Sequence, residues 1–326
     1  MTLVQISGPT SPFVVVDGGL STALQGLGHT VDGELWTARL LRDQPVAIVD
    51  AHRAFIDAGA QVLITSSYQA SVQGFVSAGS TIAEAHQMLA STTALARQAI
   101  ALAATPTPGA AARPTPAAAA TPTPGAVVVA ASVGPYGACL ADGSEYHGRY
   151  QATWAQVRKF HADRLDVLIA TGPDLLAIET IPTQAEAEII VELVAESGIP
   201  AWLTFSCSDE STTCGGDPIE QAVRSIDGRL HAVGVNCTDP RHVDGLLRRI
   251  TSITDLALVA YPNHGGSWDA DGKAWSHDHR QAQTCEIDPQ FVAGWVDAGA
   301  RYIGGCCGIG VTGIQELCAL RDGWSS

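Results

Sequence analysis

Apolar runs rich in β-branched residues alternate with amphipathic stretches along almost the whole chain. Eight apolar runs have the length of buried strands, and we predict strands at residues 13–17, 61–66, 126–132, 174–179, 201–206, 231–236, 256–261 and 301–304. Stretches with helical spacing lie at 46–58, 81–103, 152–171, 183–197, 217–226, 239–250, 288–298 and 312–322. Strands that alternate with helices form parallel sheets, and eight such units close into a barrel. We therefore predict an α/β protein with one (β/α)₈ TIM barrel over residues 1–326. An open, doubly wound sheet is the alternative, although nothing in that fold favours eight equal units.

One segment, residues 104–125, departs from this alternation. It contains six prolines and an ATPTPGA sequence near each end. Proline at every second or third position is incompatible with both helix and strand, so we predict a flexible, partly extended loop. In a barrel this loop joins the second helix to the third strand, on the face opposite the ligand-binding face. We expect it to be an insertion without a part in function.

Composition and charge narrow the class of protein. Hydrophobic residues make up 46% of the chain and charged residues 16%, which fits a sheet covered on both faces. The net charge of −15 argues against nucleic acid and anionic membranes as partners and mildly favours a cationic ligand. The sequence has neither a long apolar span nor the features of a signal peptide, so we expect a cytoplasmic protein.

Polar and metal-binding residue types accumulate where the predicted strands end. The strand ends carry Asp17-Gly18-Gly19, Ser66-Ser67-Tyr68-Gln69, Glu179-Thr180, Asn236-Cys237, Tyr261-Pro262-Asn263 and Gly304-Gly305-Cys306-Cys307. In a barrel, the carboxyl ends of all the strands meet around one pocket. Because the strand interiors are mostly Val, Ile, Leu and Ala, this convergence predicts an enzyme.

The cysteines at two of these ends predict a metal site. Adjacent residues on a strand point to opposite faces, so Cys306 and Cys307 can bind one ion only where the backbone leaves the strand. Gly304 and Gly305 before the pair, and Gly308 after it, supply that freedom. Cys237 ends a strand two positions round the barrel, and three thiolates resemble a catalytic zinc site with an open position. The alternatives are three small buried hydrophobes or a redox-active vicinal pair.

Other reactive residue types have simpler interpretations. Four cysteines fall in predicted loops or helices without partners, namely Cys139, Cys214, Cys285 and Cys318. Cys207 follows the fifth strand, near the predicted pocket, and is interpreted in the same way. His277 and His279 lie two residues apart in a long loop, where histidines are usually solvated. No glycine-rich dinucleotide or phosphate fingerprint follows Gly18.

Seven blocks of the sequence resemble homocysteine S-methyltransferases. They are VDGGLSTAL at 16–24, ITSSYQASVQGF at 64–75, GPYGACLADGSEYHGRY at 134–150, IETIPTQAEA at 178–187, GVNCTDP at 234–240, YPNHGG at 261–266 and GARYIGGCCG at 299–308. Together they extend over essentially the whole chain apart from residues 104–125. A GVNC block followed far downstream by GGCCG is highly specific. Many relatives follow the cysteine pair with Arg-Thr, whereas Gly308-Ile309 follows here, so contacts made by that Arg-Thr are not expected.

The resemblance implies Zn²⁺ bound by Cys237, Cys306 and Cys307, and transfer of a methyl group to homocysteine to form methionine. The blocks at 64–75, 134–150 and 261–266 look most like the branch that uses S-methylmethionine or S-adenosylmethionine. The chain has no room for cobalamin or folate modules. A betaine-type or other thiol methyltransferase on the same zinc site is the alternative.

Contacts to homocysteine follow from its charges. Asp17 and Glu179, acidic residues at strand ends, are expected to accept hydrogen bonds from its ammonium group, as the resemblance also implies. Gly18, in a tight turn, is expected to offer backbone amides to its carboxylate. Asn236, beside Cys237, is a further substrate-binding candidate.

Aromatic residues are the candidates for binding the sulfonium donor, because aromatic faces attract cations. Trp36, in the loop after the first strand, and Tyr68 are the best placed, whereas Trp268 and Trp275 are more typical of packed aromatic residues. Asn263 is a candidate occupant of the open zinc position when homocysteine is absent.

Two other classes of function stay open at this point. A zinc hydrolase would activate water on the same barrel, although such sites usually favour histidine and carboxylate ligands. A non-catalytic homocysteine sensor would keep the metal and lose the donor pocket. The sequence does not predict an oligomeric state.

Overall fold

The computed structural model describes residues 11–31, 37–104, 127–226, 228–265, 267–269, 274–276 and 287–324. The predictions for Trp36, His277, His279 and Cys285 lie outside these residues, as does the insertion after Ala104.

Within the described residues, eight parallel strands form one sheet. The described residues contain ten strands in all, namely β1 (Val14–Val15), β2 (Val62–Ile64), β3 (Val128–Val133), β4 (Leu175–Ile181), β5 (Ala201–Phe205), β6 (Ala232–Asn236), β7 (Ala257–Tyr261), β8 (Ser267–Asp269), β9 (Ala274–Ser276) and β10 (Ala300–Ile303). The large sheet has the order β1-β10-β7-β6-β5-β4-β3-β2, and β8 and β9 form a separate antiparallel pair. A bridge between Val16 and Val62 joins the first strand to the last in that order. The predicted (β/α)₈ barrel is therefore confirmed, and the hairpin of β8 and β9 is an addition to it.

Helices surround the sheet. They are α1 (Leu20–Gly26), α2 (Thr37–Asp43), α3 (Pro45–Asp57), α4 (Val72–Ser77), α5 (Ile82–Ala103), α6 (Trp154–Ala170), α7 (Gln184–Val194), α8 (Ile219–Ile226), α9 (Pro240–Thr251), α10 (Pro289–Asp297) and α11 (Val311–Asp322). Thr81 and Glu84 form a capping box that fixes the start of α5, and Thr153 and Gln156 do the same for α6. No helix in the described part of the chain is long and apolar enough to span a membrane.

The hydrophobic core has two layers, because alternate residues of each strand face opposite sides of the sheet. On β4, Leu176 and Ile178 pack outward against the helices, and Leu175 and Ala177 point into the barrel.

The barrel interior is closed by side chains. Trp202 lies 6.1 Å from Tyr261 and 5.6 Å from Tyr302, measured between ring centroids. Because these rings fill the interior, a pocket is expected at the C-terminal ends of the strands.

Candidate active site and metal centre

The three predicted cysteine ligands meet at the C-terminal end of the barrel. Their sulfur atoms all lie within 4.8 Å of one another. Cys307 Sγ is 3.9 Å from Cys237 Sγ and 4.0 Å from Cys306 Sγ. Sulfur ligands of a tetrahedral zinc, at the usual Zn–S distance of about 2.3 Å, lie about 3.8 Å apart. The cluster therefore fits an ion held by three sulfur ligands.

The backbone leaves both strands in unusual conformations to bring these sulfur atoms together. Cys237 has a φ of 46°, in the left-handed region that non-glycine residues rarely adopt. Gly308, after the cysteine pair, has a φ of 82°, and a Cβ there would lie 2.7 Å from the Cβ of His264. The following Ile309 is buried and donates its N–H to Cys306 O, so it closes the turn under the pair.

Hydrogen bonds distribute the protons unequally among the three thiols. The thiols of Cys237 and Cys306 lower the pKa of Cys307, because their hydrogen bonds stabilise its thiolate. Hydrogen bonding with Cys306 and Cys307, together with burial, raises the pKa of Cys237. A buried site that stabilises a thiolate is suited to a bound cation.

Asn236 supports the cluster from the end of β6. Its Oδ1 accepts hydrogen bonds from Thr180 N–H at 2.6 Å and from the Thr204 hydroxyl at 2.7 Å. Its Nδ2 donates to Thr180 Oγ1 at 2.8 Å and lies 4.0 Å from Cys306 Sγ. Thr180 has a φ of 60°, so this amide holds a strained residue in place beside the sulfur cluster. Asn236 was predicted to contact substrate, and the structure shows its amide engaged by these protein groups.

Asp17 and Glu179 are buried near the same cluster. Asp17 Oδ2 accepts the Ile64 N–H at 2.9 Å, and no donor among the described residues reaches Oδ1. Glu179 Oε1 accepts the Ser132 hydroxyl. Each carboxylate therefore keeps hydrogen-bonding capacity for a ligand.

Burial raises the pKa of both carboxyl groups. For Asp17, the charges of Glu179 and Cys306 add to the effect of burial. For Glu179, burial and the charge of Cys306 raise the pKa to about 8. A cation bound beside them would offset this repulsion and favour their ionised forms.

A pocket of about 870 Å³, including the part that opens to solvent, lies over the cysteines. Its lining includes all three cysteines, Glu179, Gly18 and Tyr68. No Lys, Arg or His is among the described residues that line it. The titratable side chains of the lining are therefore all acidic, which suits the pocket to ligands that carry positive charge.

Tyr68, predicted to face the donor, is held by a buried arginine. Arg164 donates to the backbone oxygens of Ser67 at 2.5 Å, Tyr68 at 2.6 Å and Gly134 at 3.0 Å. These bonds fix the loop after β2, so the aromatic ring enters the pocket in a defined position.

The glycines after β1 allow two loops of the site to pack closely against each other. A Cβ on Gly18 would lie 2.6 Å from Ile309 O, and one on Gly19 would lie 2.6 Å from Cys306 O. The Gly19 N–H donates to Ile309 O at 2.9 Å, so this turn amide is already engaged. Gly18 and Gly19 thus let the first loop lie directly against the cysteine loop.

Comparison with known proteins agrees with this geometry. The family model for homocysteine S-methyltransferases matches residues 14–320. The chain is 38% identical over 318 residues to homocysteine S-methyltransferase 1 of Zea mays, covering 95% of this chain and 94% of the relative. It is also 40% identical over 315 residues to homocysteine S-methyltransferase 4 of Zea mays, covering 94% and 89% respectively.

The chain belongs to the homocysteine S-methyltransferase family. It is accordingly a methyltransferase, and methylation of homocysteine is the reaction that the family carries out. Among solved structures, it is similar to the metallated form of the homocysteine methyltransferase MmuM from Escherichia coli, with a TM-score of 0.79 and 32% identity. That comparison covers 95% of this chain and 96% of the other.

The pocket lining includes residues that the sequence did not predict, and two of them bear on its chemistry. Glu145 and Tyr146 lie in a 3₁₀ turn over Ser144–Tyr146 and line the pocket. They lie well beyond the end of β3, in the loop before α6, and acidic residues in loops are usually solvated. The one sequence signal that could have identified them is their position within the block at 134–150, which resembles the family.

Proposed function

We propose that this methyltransferase transfers a methyl group from a sulfonium donor, S-methylmethionine or S-adenosylmethionine, to the thiol of L-homocysteine, and that it depends on Zn²⁺. The observation that carries the proposal is the convergence of Cys237, Cys306 and Cys307 in an acidic pocket that also contains Glu179. We further propose that the barrel is the single domain of the chain.

Zinc is the metal that this donor set favours. Three sulfur ligands with spacings near those of a tetrahedral site are typical of zinc and leave a fourth position for substrate. When bound, Zn²⁺ supplies a Lewis acid that lowers the pKa of a thiol beside it.

The carboxylates then orient the acceptor. Asp17 and Glu179 would bind the ammonium of homocysteine by charge-assisted hydrogen bonds, for which Asp17 Oδ1 and Glu179 have capacity. In the transfer, the donor S–CH₃ bond breaks and its electron pair stays on the donor sulfur. The homocysteine sulfur forms the new S–CH₃ bond, and its thiol proton is released to water. Tyr68 and its neighbours hold the donor so that the methyl group lies in line with the attacking sulfur.

The acidic lining favours a sulfonium over a neutral methyl donor. It does not by itself discriminate between sulfonium donors and betaine, since each carries a positive charge. A hydrolase is less compatible with three sulfur ligands, and a sensor would not need a pocket that extends beyond homocysteine.

A donor panel tests the proposal. Purified enzyme receives homocysteine with S-methylmethionine, S-adenosylmethionine or betaine, and methionine is measured together with zinc content. We expect about one zinc per chain and methionine from a sulfonium donor, and loss of both in Cys306→Ser. Methionine from betaine alone, or full turnover by Cys306→Ser, would contradict the proposal.

A further inference from the structure

A second carboxylate lines the pocket beside Glu179, and the reaction described above gives it no part. Glu145 lines the same pocket as the cysteines and is only 7% exposed. No hydrogen-bond donor among the described residues reaches its Oε2. Burying a carboxylate oxygen without a partner is unfavourable, so the position is suited to a donor group that arrives with a ligand.

The loop that carries Glu145 is held rigidly. Glu186 accepts hydrogen bonds from the Tyr136 N–H and from the Tyr150 hydroxyl, both at 2.6 Å, so one buried carboxylate fastens two points of the loop. A Cβ on Gly137 would lie 2.4 Å from the Glu145 nitrogen, so the backbone on either side is closely packed. The Glu145 carboxylate is therefore preorganised for a ligand.

Two tyrosines, Tyr68 and Tyr146, lie close enough to both Glu145 and the cysteines to be affected by their charges. Besides burial, the charges of Cys237 and Glu145 both raise the pKa of Tyr146, and both raise that of Tyr68. Each ring is therefore within electrostatic reach of the sulfur cluster and of Glu145.

Glu145 is distinct from the carboxylates assigned to homocysteine. After burial, the charges of Glu179 and Cys306 raise the pKa of Asp17, and the charge of Cys306 raises that of Glu179. The neighbouring charge that raises the pKa of Glu145, after burial, is Asp142. Glu145 and Glu179 thus line the pocket as two separate carboxyl groups, and Tyr68 and Tyr146 line it with them.

We propose that Glu145 binds the α-ammonium group of the methyl donor and so selects amino-acid sulfonium compounds. The inference rests on the proposed function, because it assigns a residue to the donor of that reaction. S-Methylmethionine carries the same ammonium and carboxylate as homocysteine, so transfer between the two requires two ammonium sites. A donor without a protonated amine, such as betaine, leaves Glu145 unpaired and is bound less well.

The test compares two sulfonium compounds in the zinc-loaded enzyme. S-Methylmethionine has an ammonium group, and dimethylsulfoniopropionate has the sulfonium and carboxylate without it. Glu145→Gln keeps the shape of the side chain and removes its charge. Glu192→Gln, at an exposed ion pair with Arg158 on the outside of the barrel, is the matched control. Kd is measured by calorimetry and kcat/KM by methionine formation, and a thermal melt checks folding.

We expect Glu145→Gln to lower the preference for S-methylmethionine by about ten- to a hundredfold, with the KM for homocysteine unchanged. Glu145→Asp, which keeps the charge, should restore part of the preference, and Glu192→Gln should behave as wild type. An unchanged preference, or a loss confined to homocysteine, would overturn the assignment. If wild-type enzyme forms no methionine, the proposed function fails, and the calorimetric preference still decides the role of Glu145.

Discussion

Asn236→Ala is the perturbation that best separates a supporting residue from a substrate-binding one. In the structure, its amide accepts two hydrogen bonds and donates one at 2.8 Å, with Cys306 Sγ next to the other N–H. These contacts use most of the hydrogen-bonding capacity of the buried amide, so little of that capacity is left for binding substrate. The substitution removes these bonds from a site that is fully buried.

The expected loss of stability follows from the groups left behind. The Thr180 N–H loses its acceptor at 2.6 Å, whereas the Thr204 hydroxyl keeps a contact at 2.9 Å with the Tyr261 hydroxyl. One buried unpaired N–H costs about 1–3 kcal/mol, and the missing bonds to Thr180 Oγ1 and Thr204 each contribute about 1 kcal/mol. We therefore expect the free energy of unfolding to fall by about 3–5 kcal/mol. Thr180 should also relax from its strained φ, which would weaken the cluster beside it.

Two assays test this reasoning. Urea unfolding gives the free energy, and competition with a chromophoric chelator gives the zinc affinity, which should fall at least tenfold by analogy with other groups that orient metal ligands. Asn236→Asp keeps the acceptor for Thr180 N–H and should lose less stability than Asn236→Ala. If Asn236→Ala keeps its stability and its zinc affinity and only the KM for homocysteine rises, the residue binds substrate and our interpretation is wrong.

Three further predictions concern other parts of the molecule. Glu179→Gln should weaken homocysteine use by about ten- to a hundredfold and reduce discrimination against 4-mercaptobutyrate, which lacks the ammonium, whereas equal discrimination by both enzymes would make Glu179 structural. His52 is fully buried, and burial lowers its pKa from the ordinary 6.5 to about 4. At pH values between these two, the His52 side chain is therefore protonated in the unfolded chain and neutral in the folded one. Stability should therefore fall by up to about 3 kcal/mol as the pH drops from 6.5 to 4, and His52→Leu should remove that part of the slope in urea unfolding; an equal slope in both proteins would refute the assignment. Deletion of residues 105–124 should change neither zinc content nor turnover, and a large loss of activity in a cooperatively melting protein would show that the insertion has a role.

The fold was largely predictable because buried parallel strands and amphipathic helices leave a strong periodic pattern. The first strand, Val14–Val15, is shorter than its predicted 13–17. Val16 adds only an isolated bridge to Val62, and the Ile64 N–H bonds to the Asp17 side chain. The hairpin of β8 and β9 was missed because each strand has three residues, although Asp271-Gly272 between them is a turn signal.

The site was predictable where its residues end strands and not where they sit in loops. Cys237, Cys306 and Cys307 follow strands whose position in a barrel fixes their convergence. The supporting role of Asn236 depends on contacts to Thr180 and Cys306, which are distant in sequence, and so no local pattern reveals it. Glu145 is buried by the packing of its loop, which the sequence of an acidic loop residue does not indicate.

The most direct test of the central claim follows the carbon skeleton of the acceptor. The enzyme is incubated with unlabelled S-methylmethionine and homocysteine in which every carbon is ¹³C, and methionine is analysed by mass spectrometry. Methyl transfer converts the donor into unlabelled methionine and the acceptor into labelled methionine, so we predict the two in equal amounts. Unlabelled methionine alone would indicate hydrolysis of the donor. Neither product, in zinc-loaded protein supplied with either sulfonium donor, would contradict the assignment of methyl transfer to this pocket.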